Sequence, residues 1–143
     1  MTTTMNSLLL LAAVLNAICS LLHVLIIFGG AAWYRFFGAG ERMANAAASG
    51  EWYPAVITSG IAAVLMMWAA YALSGAGVIP PLPFIRTCLG IITVIFLCRG
   101  FAVVPLFLFA RAKVNGFMAW SSLICIAIGF VHLSGLMQVW AQF

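Results

Sequence analysis

Thr87 to Phe109 reads TCLGIITVIFLCRGFAVVPLFLF, one permanent cation, Arg99, in an otherwise apolar run that also carries Pro105. Crossing a hydrocarbon core takes about 20 apolar residues at about 1.5 Å of rise each, and this run is long enough. Ending the helix at Cys98 would set Arg99 at the interface and lay Gly100 to Ala110 along the membrane surface. Thr87 to Cys98 is too short to cross, however, unless Arg86 snorkels and the helix starts near Pro83. The reading adopted is one continuous span, kinked near Gly100 and Pro105, because proline has no N–H to offer the carbonyl of Phe101.

Working outward, three more runs of this kind fall at Leu8 to Phe28, Pro54 to Leu73 and Phe117 to Trp140. Pro54 suits a first helical turn, Trp52 and Tyr53 precede it as interfacial aromatics, and Gly75, Gly77, Pro80, Pro81 and Pro83 close the second span. The alternating ten-residue pattern of a membrane β-barrel is absent, which leaves helices as the way to satisfy backbone polar groups in lipid. Composition agrees: 66% of the 143 residues are hydrophobic, 6% are charged and the mean hydropathy is +1.23, where soluble chains carry about a quarter charged residues. The expected fold is all-α, an integral membrane four-helix bundle forming a single membrane domain over residues 1–143. The first run lacks a basic leader and exceeds a typical signal-peptide core, so it is read as a retained span.

The connection Ala31 to Tyr53 has Trp33, Tyr34, Phe36, Phe37, Trp52 and Tyr53 at its ends and an alanine-rich segment, Glu41 to Ala48, between glycines. This predicts a short interfacial helix between the first two spans, with its aromatic rings at headgroup depth. Glu41 and Glu51, the only side-chain carboxylates, either lie on the surface or partner an intramembrane cation. Arg35 and Arg42 flank the first connection and Arg111 and Lys113 the third, against Arg86 alone in the second. The positive-inside bias therefore puts both termini on the non-cytoplasmic side of the cell membrane. The net charge of +4 forms no basic run, which suggests lipid headgroups as partners and gives no reason to invoke nucleic acid.

Arg99 is the candidate centre of function. Counted from Thr87 it falls about 18 Å into its span, where a guanidinium costs about 2.5 to 3.5 kcal/mol to insert and should face the bundle interior or a wet cavity. Candidate companions are Asn16, Ser20 and His23, which with Cys19 share one face of the first span, and His132, which follows Ser121 or Ser122, Cys125 and Gly129 on the fourth. Helix packing accounts for small and polar stripes of this kind equally well.

The two histidines fall at levels about 10 Å apart, too far for one haem iron, and the cysteines show no ligand spacing and no CxxC pair. No cofactor or metal is expected. With no nucleophile elbow, phosphate loop, HExxH or paired carboxylates, the sequence does not point to an enzyme. Two function classes are left: a small membrane protein that binds or transports an anionic or polar ligand at Arg99, and an accessory, assembly or immunity-type subunit whose charge docks a partner membrane protein. Shielding a cation among so few helices calls for a homo-oligomer or such a partner.

Overall fold

The computed structural model describes residues 5–142, and every element among them is helical. In chain order these are α1 (Ser7–Phe36), α2 (Glu41–Ala48), α3 (Tyr53–Gly75), α4 (Ile85–Phe101), α5 (Val103–Phe109) and α6 (Gly116–Val139), with short 3-10 turns at Arg111–Lys113 and Trp140–Gln142. Among the described residues four stretches are long and apolar enough to cross a membrane: α1, α3, Ile85–Phe109 and α6. The chain is thus a multi-pass, all-α membrane protein with a short helix between its first two spans.

The ends differ in instructive ways from the sequence reading. α1 continues to Phe36, beyond the expected end at Phe28, and changes direction at Gly30, whose φ of 63° and ψ of −151° interrupt the helical path. Only glycine takes that conformation cheaply. The third span begins at Ile85 and is interrupted at Ala102, which separates α4 from α5 while keeping helical torsions (φ −59°, ψ −21°).

By compactness the chain resolves into two units, one made of the residues up to Leu15 together with those from Trp68 onward, the other of Asn16–Met67. In the first unit α4 packs along α6. The buried positions of α4, Ile85, Leu89, Ile92, Thr93, Phe96 and Gly100, recur at helical spacing. Small residues on α6 let the backbones close: a Cβ at Gly129 would lie 3.2 Å from the Leu97 nitrogen, and one at Gly135 would lie 3.0 Å from the Leu9 nitrogen. The start of α1 is fastened by Asn6. Its Oδ1 accepts from the Leu9 N–H at 2.9 Å as an N-cap, and its Nδ2 donates to the Gly135 carbonyl at 3.1 Å. Ser74 organises the second connection, donating to the Pro80 carbonyl and accepting from the Leu82 N–H.

In the second unit Ile26, Tyr34 and Ala44 form a small core with Leu22, Phe37 and Met43 packed against it. Tyr34 departs from its expected interfacial place: it is buried, and its hydroxyl lies 3.1 Å from Thr58 Oγ1. The bend at Gly30 is the local reason, since the residues after it continue as helix and bring Tyr34 onto this core. Arg35 donates to Glu41 Oε2 at 3.0 Å and to Asn45 Oδ1 at 2.8 Å, tying the end of α1 to α2. Glu41 is therefore engaged by an exposed arginine of its own connection.

Candidate functional site

α4 and α6 run antiparallel, and their register follows from named contacts. Arg86 stacks on Trp140, Phe96 on His132, Leu97 meets Gly129, and Gly100 meets Ile126. Residues nearly equidistant from the middle of the intervening connection face each other. The Arg99 backbone accordingly lies level with Ile126 and Ala127, the middle of the 24-residue α6.

The head of Arg99 sits elsewhere. Nη1 donates to Ser122 Oγ and Nη2 to Ser121 Oγ, each at 3.4 Å. Ser121 and Ser122 lie about 7 Å nearer the Gly116 end of α6 than the Arg99 backbone does, at 1.5 Å per residue. The side chain thus snorkels by more than a helical turn toward that end. It remains about 8 Å short of the first residue of α6.

Arg99 does not enter the α4–α6 seam. Arg99 is exposed, and its neighbour Gly100 occupies the contact with α6, where a Cβ would stand 3.0 Å from the Ser122 carbonyl oxygen. One residue is about 100° of helical rotation, so the position next to the contact glycine falls on the flank of the helix pair. From the flank a long side chain reaches the α6 hydroxyls without entering the packed seam.

Ser122 also lines an apolar groove of about 330 Å³ between α5 and α6, together with Val103, Val104, Phe107, Ala119 and Leu123. Val103 and Phe107 continue the helical line of Arg99, and the Arg111 guanidinium lies 4.9 Å from the Phe107 ring centroid at the far end. α5 contributes no buried residue, so this groove is open.

Charge is distributed unevenly. Arg86, Arg99, Arg111 and Lys113 all belong to the first unit, which contains no carboxylate side chain, whereas Arg35 and Arg42 are balanced by Glu41 and Glu51 in the second. The whole formal charge of +4 therefore resides in the unit that carries Arg99.

His132 is fully buried and its ring stacks on Phe96 at 5.7 Å between centroids, with Trp68 edge-on to Phe96 at 5.4 Å. It lies ten residues beyond Ser122, about 15 Å along α6, so the structure does not bring His132 to the Arg99 head. In the second unit Ser20 is buried and donates to the Ala62 carbonyl at 2.7 Å. The His23 Nδ1 lies 2.8 Å from the Cys19 carbonyl one turn back, and Asn16 is fully buried. Asn16 and Ser20 are thus buried and His23 half-buried, with Ser20 serving as a tie between α1 and α3. Among the described residues no three His, Cys, Asp or Glu side chains gather as a metal site.

Ser121 and Ser122, which the sequence reading placed only as alternatives on the fourth span's small and polar stripe, both contact Arg99. The signal was available in the short Ala110 to Asn115 connection, which fixes which α6 residues lie level with each turn of α4. No family model, curated protein or solved structure matches the chain, so the site is read from its own geometry.

Proposed function

We propose that this is a small membrane protein that binds, and in an assembled form transports, an anionic or polar small ligand at an intramembrane site centred on Arg99, with Ser121 and Ser122 as companions. One observation carries the reading: the guanidinium is held by two neutral hydroxyls at 3.4 Å, in a unit that has no carboxylate side chain to neutralise it. Charge-assisted bonds are normally about 2.7 to 2.9 Å long, so these contacts orient the head without saturating its five N–H donors. A planar fork with spare donors, kept partly out of water, is suited to a carboxylate or phosphate. The open groove beside Ser122 gives an apolar portion of such a ligand a place to lie.

We orient the chain with both termini on the non-cytoplasmic side, so that the Arg99 head reaches toward the cytoplasmic leaflet, on the strength of Arg35, Arg42, Arg111 and Lys113 flanking the first and third connections. Permeation through so few helices requires oligomerisation. The position of Arg99 on the flank of a helix pair favours one alternative, an accessory subunit whose arginine meets a carboxylate on a partner helix.

The test is equilibrium binding to purified protein in lipid nanodiscs, with radiolabelled inorganic phosphate and a radiolabelled fatty acid as compact and amphiphilic probes. Binding of at least one probe should weaken with salt, vanish in Arg99→Leu and survive in part in Arg99→Lys. Binding indifferent to Arg99→Leu contradicts the reading. Loss of a stoichiometric co-purifying membrane protein in the same variant, with neither probe bound, would move the assignment to the accessory subunit.

A further inference from the structure

A second cation stands at the opposite end of the α4–α6 pair. Arg86, on the first turn of α4, places its Cζ 3.7 Å from the centroid of the Trp140 ring at the end of α6. A guanidinium at this distance over an indole face is held by cation–π attraction, which uses none of its in-plane N–H donors. Both residues are exposed, and no carboxylate side chain exists in their unit.

Below this pair runs a groove of about 420 Å³ along the outer face of α4. Arg86, Gly90 and Val94 follow one helical line and Thr87 and Ile91 the next, so the groove descends about 12 Å from the cation toward the middle of the span. Its polar groups, Arg86, Thr87 and Trp140, are gathered at the upper end, and its lower walls are aliphatic. Gly90 forms the floor. A Cβ there would meet no atom within 4 Å, so packing within this chain does not require a glycine, yet its bare backbone keeps the groove open.

We propose that Arg86, Trp140 and the groove over Gly90 form a binding site for one anionic phospholipid, its phosphate on the Arg86 fork and the upper part of an acyl chain over Gly90. The charge is complementary, and the order of polar and apolar surface matches an amphiphile that enters from the bilayer. An aromatic at a span end also sits at headgroup depth, where a lipid phosphate lies. The site belongs to the leaflet opposite the one toward which Arg99 reaches.

The experiment uses the full chain with Trp140 as its single tryptophan, Trp33, Trp52, Trp68 and Trp120 being replaced by phenylalanine. Reconstituted in phosphatidylcholine vesicles, the protein is titrated with brominated phosphatidylglycerol or brominated phosphatidylcholine, and Trp140 fluorescence reports occupancy. The anionic lipid should quench at about fivefold lower mole fraction, the ratio expected for one arginine at a membrane surface. Arg86→Gln should bring the two lipids level, and so should Gly90→Leu, which fills the groove but leaves the stacked pair. If Arg86→Gln fails to insert, Arg86→Lys should show a reduced preference, because charge survives without the stacked fork.

A tryptophan placed at the exposed Val64 in a background lacking the others should show no preference. Equal preference at Val64 and Trp140 would mean bulk enrichment of anionic lipid and would overturn the site. Preference lost in Arg86→Gln but kept in Gly90→Leu would reduce it to surface attraction of the headgroup and also overturn it. Abolition of the preference by millimolar glycerol phosphate would assign the pocket to a soluble anion instead.

Discussion

Replacing Gly100 by alanine puts a methyl group into the tightest part of the α4–α6 seam. The added Cβ would stand 2.9 Å from the Ile126 nitrogen and 3.0 Å from the Ser122 carbonyl oxygen. Both are backbone atoms, so the clash is relieved only by parting the helices, by about 0.5 Å to restore ordinary van der Waals separation. Overpacking of this kind costs about 1 to 3 kcal/mol, against which alanine regains about 0.5 to 1 kcal/mol over glycine inside a helix. The expected net loss centres on about 1 kcal/mol and reaches at most about 2.5 kcal/mol. Gly90→Ala is the matched control, since its Cβ meets nothing within 4 Å, and it should stabilise by about 0.5 to 1 kcal/mol. Reversible unfolding in mixed micelles titrated with dodecyl sulfate, followed by helical circular dichroism, measures both. The two midpoints should move in opposite directions, and equal shifts would refute the packing argument. Because Arg99 adjoins Gly100, the same parting should lengthen its already long contacts to Ser121 and Ser122 and weaken anion binding.

Asn6→Ala removes the N-cap of α1 and its bond to the Gly135 carbonyl, and in the same unfolding assay should cost about 1 to 2 kcal/mol. Tyr34→Phe loses the contact with Thr58 but keeps the ring in its core, so about 1 kcal/mol is expected, with a loss below 0.3 kcal/mol speaking against that bond. A reporter active only outside the cytoplasm should be active when fused after Phe143 and silent when fused near Ala46. The reverse pattern would invert the proposed orientation.

The span count and the Glu41–Ala48 helix were legible in the sequence because lipid imposes strict rules on length and polarity, and because glycines bracket the alanine run. The helix ends were less legible. Gly30 bends α1 without ending it, so the residues that follow belong to a helix although their aromatic composition reads as an interfacial connection. The same bend explains Tyr34, whose ring was read as an interfacial anchor and instead completes a small core.

At Arg99 the sequence supplied the level of the backbone but not the direction of the side chain. Burial inside the helix cluster is one way for a cation to avoid lipid and use of the side chain's length is another; the reach of the Arg99 head to Ser121 and Ser122 fits the second. Which residue faces α6 is decided by rotation about α4, and Gly100, with no side chain, occupies the close approach. His132 makes the complementary point. A histidine on a small-residue stripe carries the same sequence pattern whether it lines a site or packs in a seam, and stacking on Phe96 puts this one in the seam.

The site proposed at Arg99 requires a permanent cation anchored deep in the membrane, with its backbone near the middle of the span. It is tested most directly by the depth of position 99 in a lipid bilayer. A nitroxide attached to Arg99→Cys, in a chain whose native Cys19, Cys88, Cys98 and Cys125 are replaced by serine or alanine, reports depth through its relative relaxation by oxygen and by a water-soluble nickel chelate. A second label at position 111, in the 3-10 turn beyond the end of α5, serves as the interfacial reference. The account predicts that the label at 99 reads near the bilayer centre, rich in oxygen and shielded from nickel, while the label at 111 reads at headgroup depth. Equal depths at 99 and 111 would make Arg99 a surface anchor and contradict the account.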